Sequence, residues 1–168
     1  VMHKGRVVQE GPPKEMIDLY KQILVDQYDE GEKKAPEAPD VKAAVNMPAT
    51  LWKDRMEQNE KVLAYGDNSA SIIDFAIVDS RGRITNTIEK GAQFEVRMKV
   101  KFNRRIADPI FAFTFKNLMG TEICGTNTMY EKANISSKKE GDIQAVSFTQ
   151  RMDLNGGEYL LSLGCTGF

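Results

Sequence analysis

From Tyr65 to Gly164 apolar and polar residues alternate in short segments separated by glycine-containing turns. A period of two is what a half-buried strand requires, because successive side chains point to opposite faces of a sheet. Phe94, Val96, Met98, Val100 and Phe102 share one side of the most regular segment, and Glu95, Arg97, Lys99 and Lys101 share the other. Such a sheet must hide its first face and offer its second to water or ligand. The pattern predicts strands at 71–79, 94–102, 110–117, 122–128, 143–152 and 158–165, with turns at 80–82, 103–109, 119–120, 140–142 and 155–157. Phe111, Phe113 and Phe115 fall on one face of their segment, and Tyr159, Leu161, Leu163 and Cys165 on one face of theirs. Two such faces packed together make the core of a mainly β chain, a β-sandwich.

The residues before this region read differently. In 1–10 a tight turn at His3-Lys4-Gly5 lies between short apolar stretches, half of a β-hairpin, and Gly11-Pro12-Pro13 ends it. Pro13 suits the first turn of a helix and Glu15 suits that turn's positive field. Met16, Ile17, Leu19, Tyr20, Ile23 and Leu24 follow at helical spacing, predicting a helix over 13–24. Residues 25–48 are dominated by Asp, Glu, Lys, Ala and Pro, a composition that buries too little apolar surface to order itself, and predict a mobile linker. Residues 49–64 form a helical lead-in, with a short helix around 51–63 docked through Leu51, Trp52 and Met56. Trp52 is the only tryptophan, either the anchor of that helix or a platform on which a sugar stacks. The sandwich then occupies 65–168.

Composition removes several classes of function. The 23 basic and 24 acidic residues of the 168 leave a net charge of -1, so no excess of positive charge points to nucleic acid. No apolar run approaches the roughly 18 residues that cross a bilayer. With His3 as its one histidine, metal sites built on imidazole and Ser-His-Asp or Cys-His catalysis are nearly excluded. Cys124 and Cys165 stand far apart, which favours buried, reduced thiols over a disulfide. A phosphate loop, a zinc-binding histidine pair and a nucleophile elbow are all missing. Carboxylate pairs such as Glu122 and Glu131 are expected by coincidence among so many acids. The chain is therefore expected to be no enzyme and to carry no metal or cofactor of its own.

Two segments resemble known families. Val1-Met2-His3-Lys4-Gly5-Arg6-Val7-Val8, followed by Gly11-Pro12-Pro13 and the stretch to Tyr20, resembles the closing hairpin and helix of an ABC-transporter ATPase domain. There a Lys-Gly turn separates two short strands and a Gly-Pro step precedes the last helix. The resemblance makes 1–24 the C-terminal stub of such a domain, with ATP and Mg belonging to a longer parent. The second segment begins with Tyr65-Gly66-Asp67-Asn68-Ser69-Ala70-Ser71-Ile72 and continues with Asp79-Ser80-Arg81-Gly82, Gly125-Thr126-Asn127-Thr128 and Asn155-Gly156-Gly157-Glu158-Tyr159. It is similar, over 65–168, to the C-terminal domain appended to the ATPase of bacterial polysaccharide exporters, O-antigen transporters especially.

That resemblance implies an immunoglobulin-like antiparallel β-sandwich with a short N-terminal hairpin and helix extension. It also implies a non-catalytic carbohydrate-binding role in which the domain selects the polysaccharide to be exported. The implied partners are an undecaprenyl-linked polysaccharide, a transmembrane permease reached through the parent ATPase, and a second copy of the chain. The implied place is the cytoplasm, peripheral to the inner face of the cell membrane. Teichoic-acid exporters share the ATPase architecture, so the glycan's identity stays open. The competing expectation is a structural or dimerisation module that touches no glycan.

Candidate glycan contacts follow from the outward phase of the strands. Arg97 and Lys99 point away from the apolar side of one strand, Thr114 and Lys116 do so on the next, and Ser147, Thr149 and Arg151 on a third. If these rows lie on one sheet they make a polar surface suited to hydroxyls, and otherwise they are ordinary solvated faces. Asn127 and Tyr130 can place an amide and a ring near a sheet end, or serve as a turn-stabilising Asn and a rim Tyr.

Overall fold

In the computed structural model, residues 1–24, 50–59 and 62–167 are described. The linker expected at 25–48 lies outside the described residues, as do Glu60 and Lys61 within the lead-in. The N-terminal hairpin pairs β1 (Met2–His3) with β2 (Arg6–Val7). Lys4 and Gly5 between them take φ values of 47° and 77°. Two positive φ angles in succession match the twist of a two-residue hairpin loop, and glycine supplies one of them without steric cost. Helix α1 then covers Pro13–Leu24 as the spacing predicts, with Ile23 buried and Tyr20 exposed.

The alternating region folds into two three-stranded antiparallel sheets. β3 (Ala70–Asp79), β4 (Gln93–Phe102) and β7 (Ile143–Arg151) form the first, in the order β3-β4-β7. β5 (Pro109–Lys116), β6 (Glu122–Asn127) and β8 (Leu160–Gly167) form the second, in the order β6-β5-β8. The inner phases meet in one core: Phe94, Val96, Met98, Val100 and Phe102 from β4 against Phe111, Phe113 and Phe115 from β5, with Leu161, Leu163 and Cys165 packed beside them. Rings cross between the sheets, Phe94 with Phe115 at a centroid distance of 5.8 Å, Phe102 with Phe111 at 6.3 Å and Phe113 with Phe148 at 5.3 Å. Tilted and edge-on pairings at these distances add to what burial alone provides. Each fully buried Phe contributes about 1.5–3 kcal/mol, which makes this ring stack the main adhesive between the sheets. The immunoglobulin-like sandwich is the fold of this chain.

Two expectations are corrected. Among the described residues of 51–63 the expected helix is reduced to one 3-10 turn, Lys53–Arg55, and Met56 after it is extended. A helix this short has a costly nucleus, and better partners for its backbone lie on β3 and in the loop between β3 and β4. The Lys53 N–H donates to Asp74 Oδ1 at 3.1 Å. The Glu57 N–H donates to Asn86 Oδ1 at 2.9 Å, and the Asn86 amide returns a bond to the Glu57 carbonyl at 2.8 Å. The segment is a strap laid over the outer side of β3. Trp52 is its anchor, with the Lys99 ammonium 3.9 Å from the ring centroid, a cation-π contact. The second correction concerns the thiols. Both cysteines are free, but Cys124 is exposed because β6 is an edge strand whose inner side overhangs the core.

Candidate functional site

A register irregularity in β3 between Ile72 and Asp74 sets up the outer side of the first sheet. One extra residue there turns Asp74 outward opposite Lys99, where the strap covers it completely. Its carboxylate accepts from the Lys53 N–H, the Phe75 N–H at 3.0 Å and Lys99 Nζ at 3.2 Å. Ala76 and Val78, in the same phase, are buried as well. The outer side of β3 is closed, and the outer side of β4 and β7 is what the sheet presents.

There the cross-strand neighbours are Glu95 with Thr149, Arg97 with Ser147 and Lys99 with Ala145. The Glu95 carboxylate accepts from Arg97 Nε at 2.8 Å and from the Ser147 hydroxyl at 3.0 Å. These bonds, the guanidinium's first, hold the Glu95 carboxyl below the usual carboxylate range. Arg151 reaches Asp153 at 2.9 Å with both side chains well exposed, a pair of small energetic weight.

Eight of the nine candidate residues therefore divide between two sheets instead of lining one, and the ninth, Tyr130, lies in the turn after β6. Arg97, Lys99, Ser147, Thr149 and Arg151 lie on the first sheet, while Thr114 and Lys116 sit on β5 in the second and Asn127 ends β6. Lys116 is buried and reaches Glu122 at 3.7 Å, so it is not the solvent-facing group that alternation predicts. The reason is topological. β5 follows β4 in sequence but pairs with β6 and β8, and consecutive strands of a sandwich need not share a sheet. On the second sheet's outer side Thr114 stands opposite Gly125 and Ser162. Gly125 is required there, because a Cβ would collide with the Phe113 carbonyl oxygen and come within 2.8 Å of Thr114 Cα. Asn127 stabilises a turn: its Oδ1 accepts from the Tyr130 N–H at 2.8 Å, and Tyr130 itself is 75% exposed.

What the structure does bring together is β7 and the segment that follows β6. β7 is an edge strand, paired with β4 alone among the described residues. Residues 128–135 pass beside its open edge and leave a cleft of about 320 Å³. Ser147 and Thr149 line it from the strand, joined by Gln144 and Gln150, and Thr128 and Glu131 line it from the facing segment. Ile135, Val146 and Phe148 supply an apolar floor. The facing wall is pinned: Thr128 Oγ1 accepts from the Phe111 N–H at 3.1 Å, Thr126 donates its hydroxyl to Glu131 Oε1 at 2.7 Å, and the Ala133 N–H reaches the Thr128 carbonyl at 2.9 Å. The hydroxyl of Thr149 and the amide of Gln150 make no hydrogen bond among the described residues, so both are available to a ligand. Gln144, Gln150, Thr128 and Glu131 escape a reading by alternation alone. One signal for the first two is in the sequence: they occupy the inward phase of β7, where Val146 and Phe148 are apolar.

Among the described residues no three His, Cys, Asp or Glu side chains lie together to hold a metal ion. None of their helices is long and apolar enough to cross a membrane. Residues 61–167 match the family model described as the Wzt C-terminal domain. Among solved structures the chain is similar to one described as the crystal structure of the C-terminal domain of wzt, with a TM-score of 0.64 and 26% identity over 70% of this chain and 71% of that one. No curated protein matches.

Proposed function

The chain belongs to the Wzt C-terminal domain family, and from that premise we propose that it is a non-catalytic polysaccharide-binding domain that selects substrate for an ABC-type polysaccharide exporter. The observation that carries the reading is the cleft beside β7. It joins an apolar floor to hydroxyl and amide groups, two of them unengaged, along an open strand edge. Sugars are held in this manner, ring faces against apolar side chains and hydroxyls against groups that both donate and accept. Thr149 and Ser147 are its strand-borne contacts, and Arg97 positions Ser147 through Glu95.

In this reading residues 1–24 close an ATPase domain whose nucleotide site, with ATP and Mg, lies elsewhere in a longer protein. Residues 25–48 tether the sandwich to it. The undecaprenyl-linked polymer, O-antigen or another wall glycan, is presented on the cytoplasmic side of the membrane and passed to the permease partner. The test is calorimetric titration of the protein with polysaccharide from its source. Thr149→Ala and Gln150→Ala should each weaken binding by about tenfold, the equivalent of one good hydrogen bond or slightly more, with melting temperature nearly unchanged. Phe113→Ala should instead cost roughly 3–5 kcal/mol of stability. Undiminished affinity in both cleft variants would remove the site from β7.

A second reading, a dimerisation module without glycan contact, draws on β8, which is an edge strand paired with β5 alone among the described residues. It predicts no saturable binding of any polysaccharide.

A further inference from the structure

Every cation among the candidate residues already faces a carboxylate. Arg97 meets Glu95 at 2.8 Å, Lys99 meets Asp74 at 3.2 Å, Lys116 meets Glu122 at 3.7 Å and Arg151 meets Asp153 at 2.9 Å. Lys99 is engaged a second time by the ring of Trp52. Lys101, the remaining cation of the β4 row, stands in register with Ile143, one position past the stretch of β7 that lines the cleft. Among the described residues that line the cleft, the one ionisable side chain is Glu131, an acid.

Phosphate and carboxylate groups are recognised by guanidinium forks and ammonium groups, and an anion in a cleft that offers neither would meet Glu131 uncompensated. The remaining polar lining is uncharged: the hydroxyls of Thr128, Ser147 and Thr149 and the amides of Gln144 and Gln150. From Gln144 to Gln150 the strand runs roughly 20 Å at about 3.3 Å per residue. A cleft of about 320 Å³ along that length has room for sugar-ring contacts beside a terminal group.

We infer that the glycan held in this cleft is electrically neutral, a hydroxyl-rich polymer without phosphodiester or uronic-acid groups along the bound stretch. The inference rests on the glycan-binding reading above and narrows its ligand class. Charge selection comes from two parts: Glu131 at the cleft, and Glu95, which masks Arg97 beside it.

The test is a panel of length-matched bacterial polysaccharides, neutral members alongside members bearing phosphodiesters or uronic acids, titrated against the protein at about 0.02 and about 0.5 M salt. Binding is expected for a neutral member only, with affinity changing by less than about twofold between the two salt levels, as uncharged contacts require. Glu95→Gln, which unmasks Arg97, and Glu131→Gln should each raise affinity for an acidic member several-fold. An acidic polymer bound by the unaltered protein with affinity that collapses in high salt would overturn the neutral assignment and leave glycan binding standing. No binding by any member would overturn the glycan reading itself. Failure of both variants to admit an acidic polymer would refute the part given to Glu95 and Glu131.

Discussion

Cys165 and Cys124 have the same chemistry and different surroundings. Burial beside Leu161 and Leu163 pushes the Cys165 thiol up to about 11, from an ordinary value of 9.0. Cys124, on the overhanging edge strand, is raised by desolvation too but is exposed. The thiolate is the nucleophile, so iodoacetamide at mildly alkaline pH should label Cys124 first and leave Cys165 until the protein unfolds; equal rates would contradict the packing described for β8. Because the folded value for Cys165 lies above the unfolded one, its neutral thiol favours the fold below pH 9.0, and that contribution is lost as pH rises toward about 11. Glu95 has the opposite sign. With its carboxyl held low by Arg97 and Ser147, it favours the fold above the ordinary carboxylate value and loses that contribution as pH falls through the lowered one. The effect is modest, since about a third of the side chain meets water.

At the scale of elements the strap across β3 carries a prediction of its own. Asp74 is fully buried and holds the strap's Lys53 N–H and the Lys99 ammonium together. Asp74→Ala should cost about 3 kcal/mol, the lower end for removing one partner of a buried pair. It should also shift the emission of Trp52 to the red as the strap lifts; an unshifted spectrum would mean that Trp52 and Met56 hold it unaided. This strap also marks what the sequence could and could not disclose. Alternation is a local property, so the inner faces of β4, β5 and β8 were legible down to Phe113 and Leu163. The choice of sheet is a property of distant pairing, which is why alternation leaves open whether Thr114 and Lys116 share a sheet with Arg97, and they lie across the core from it. The helix expected over the strap fails for the same reason, because Asp74 and Asn86, its competing partners, are remote in sequence. Thr128 and Glu131 became part of a cleft only once β7 took an edge position beside them.

For the whole molecule the edge strands β6, β7 and β8 are the features that invite a partner, since a strand edge presents unpaired N–H and C=O groups. We expect the protein to pair through β8 with a second copy, leaving the β7 edge to glycan, and light scattering at micromolar concentration should then give about twice the monomer mass. A monomer would remove the dimer without touching the cleft. The strap has a mechanical meaning as well. The chain that enters at Leu51 is fastened to the middle of β3, at Asp74, and not to either end of that strand. Tension along it would be delivered sideways across the sheet, and the strap's few bonds would shear before β3 could unzip from β4. The sandwich thus has a latch weaker than itself, one that can slip under load and reseat while the fold stays whole.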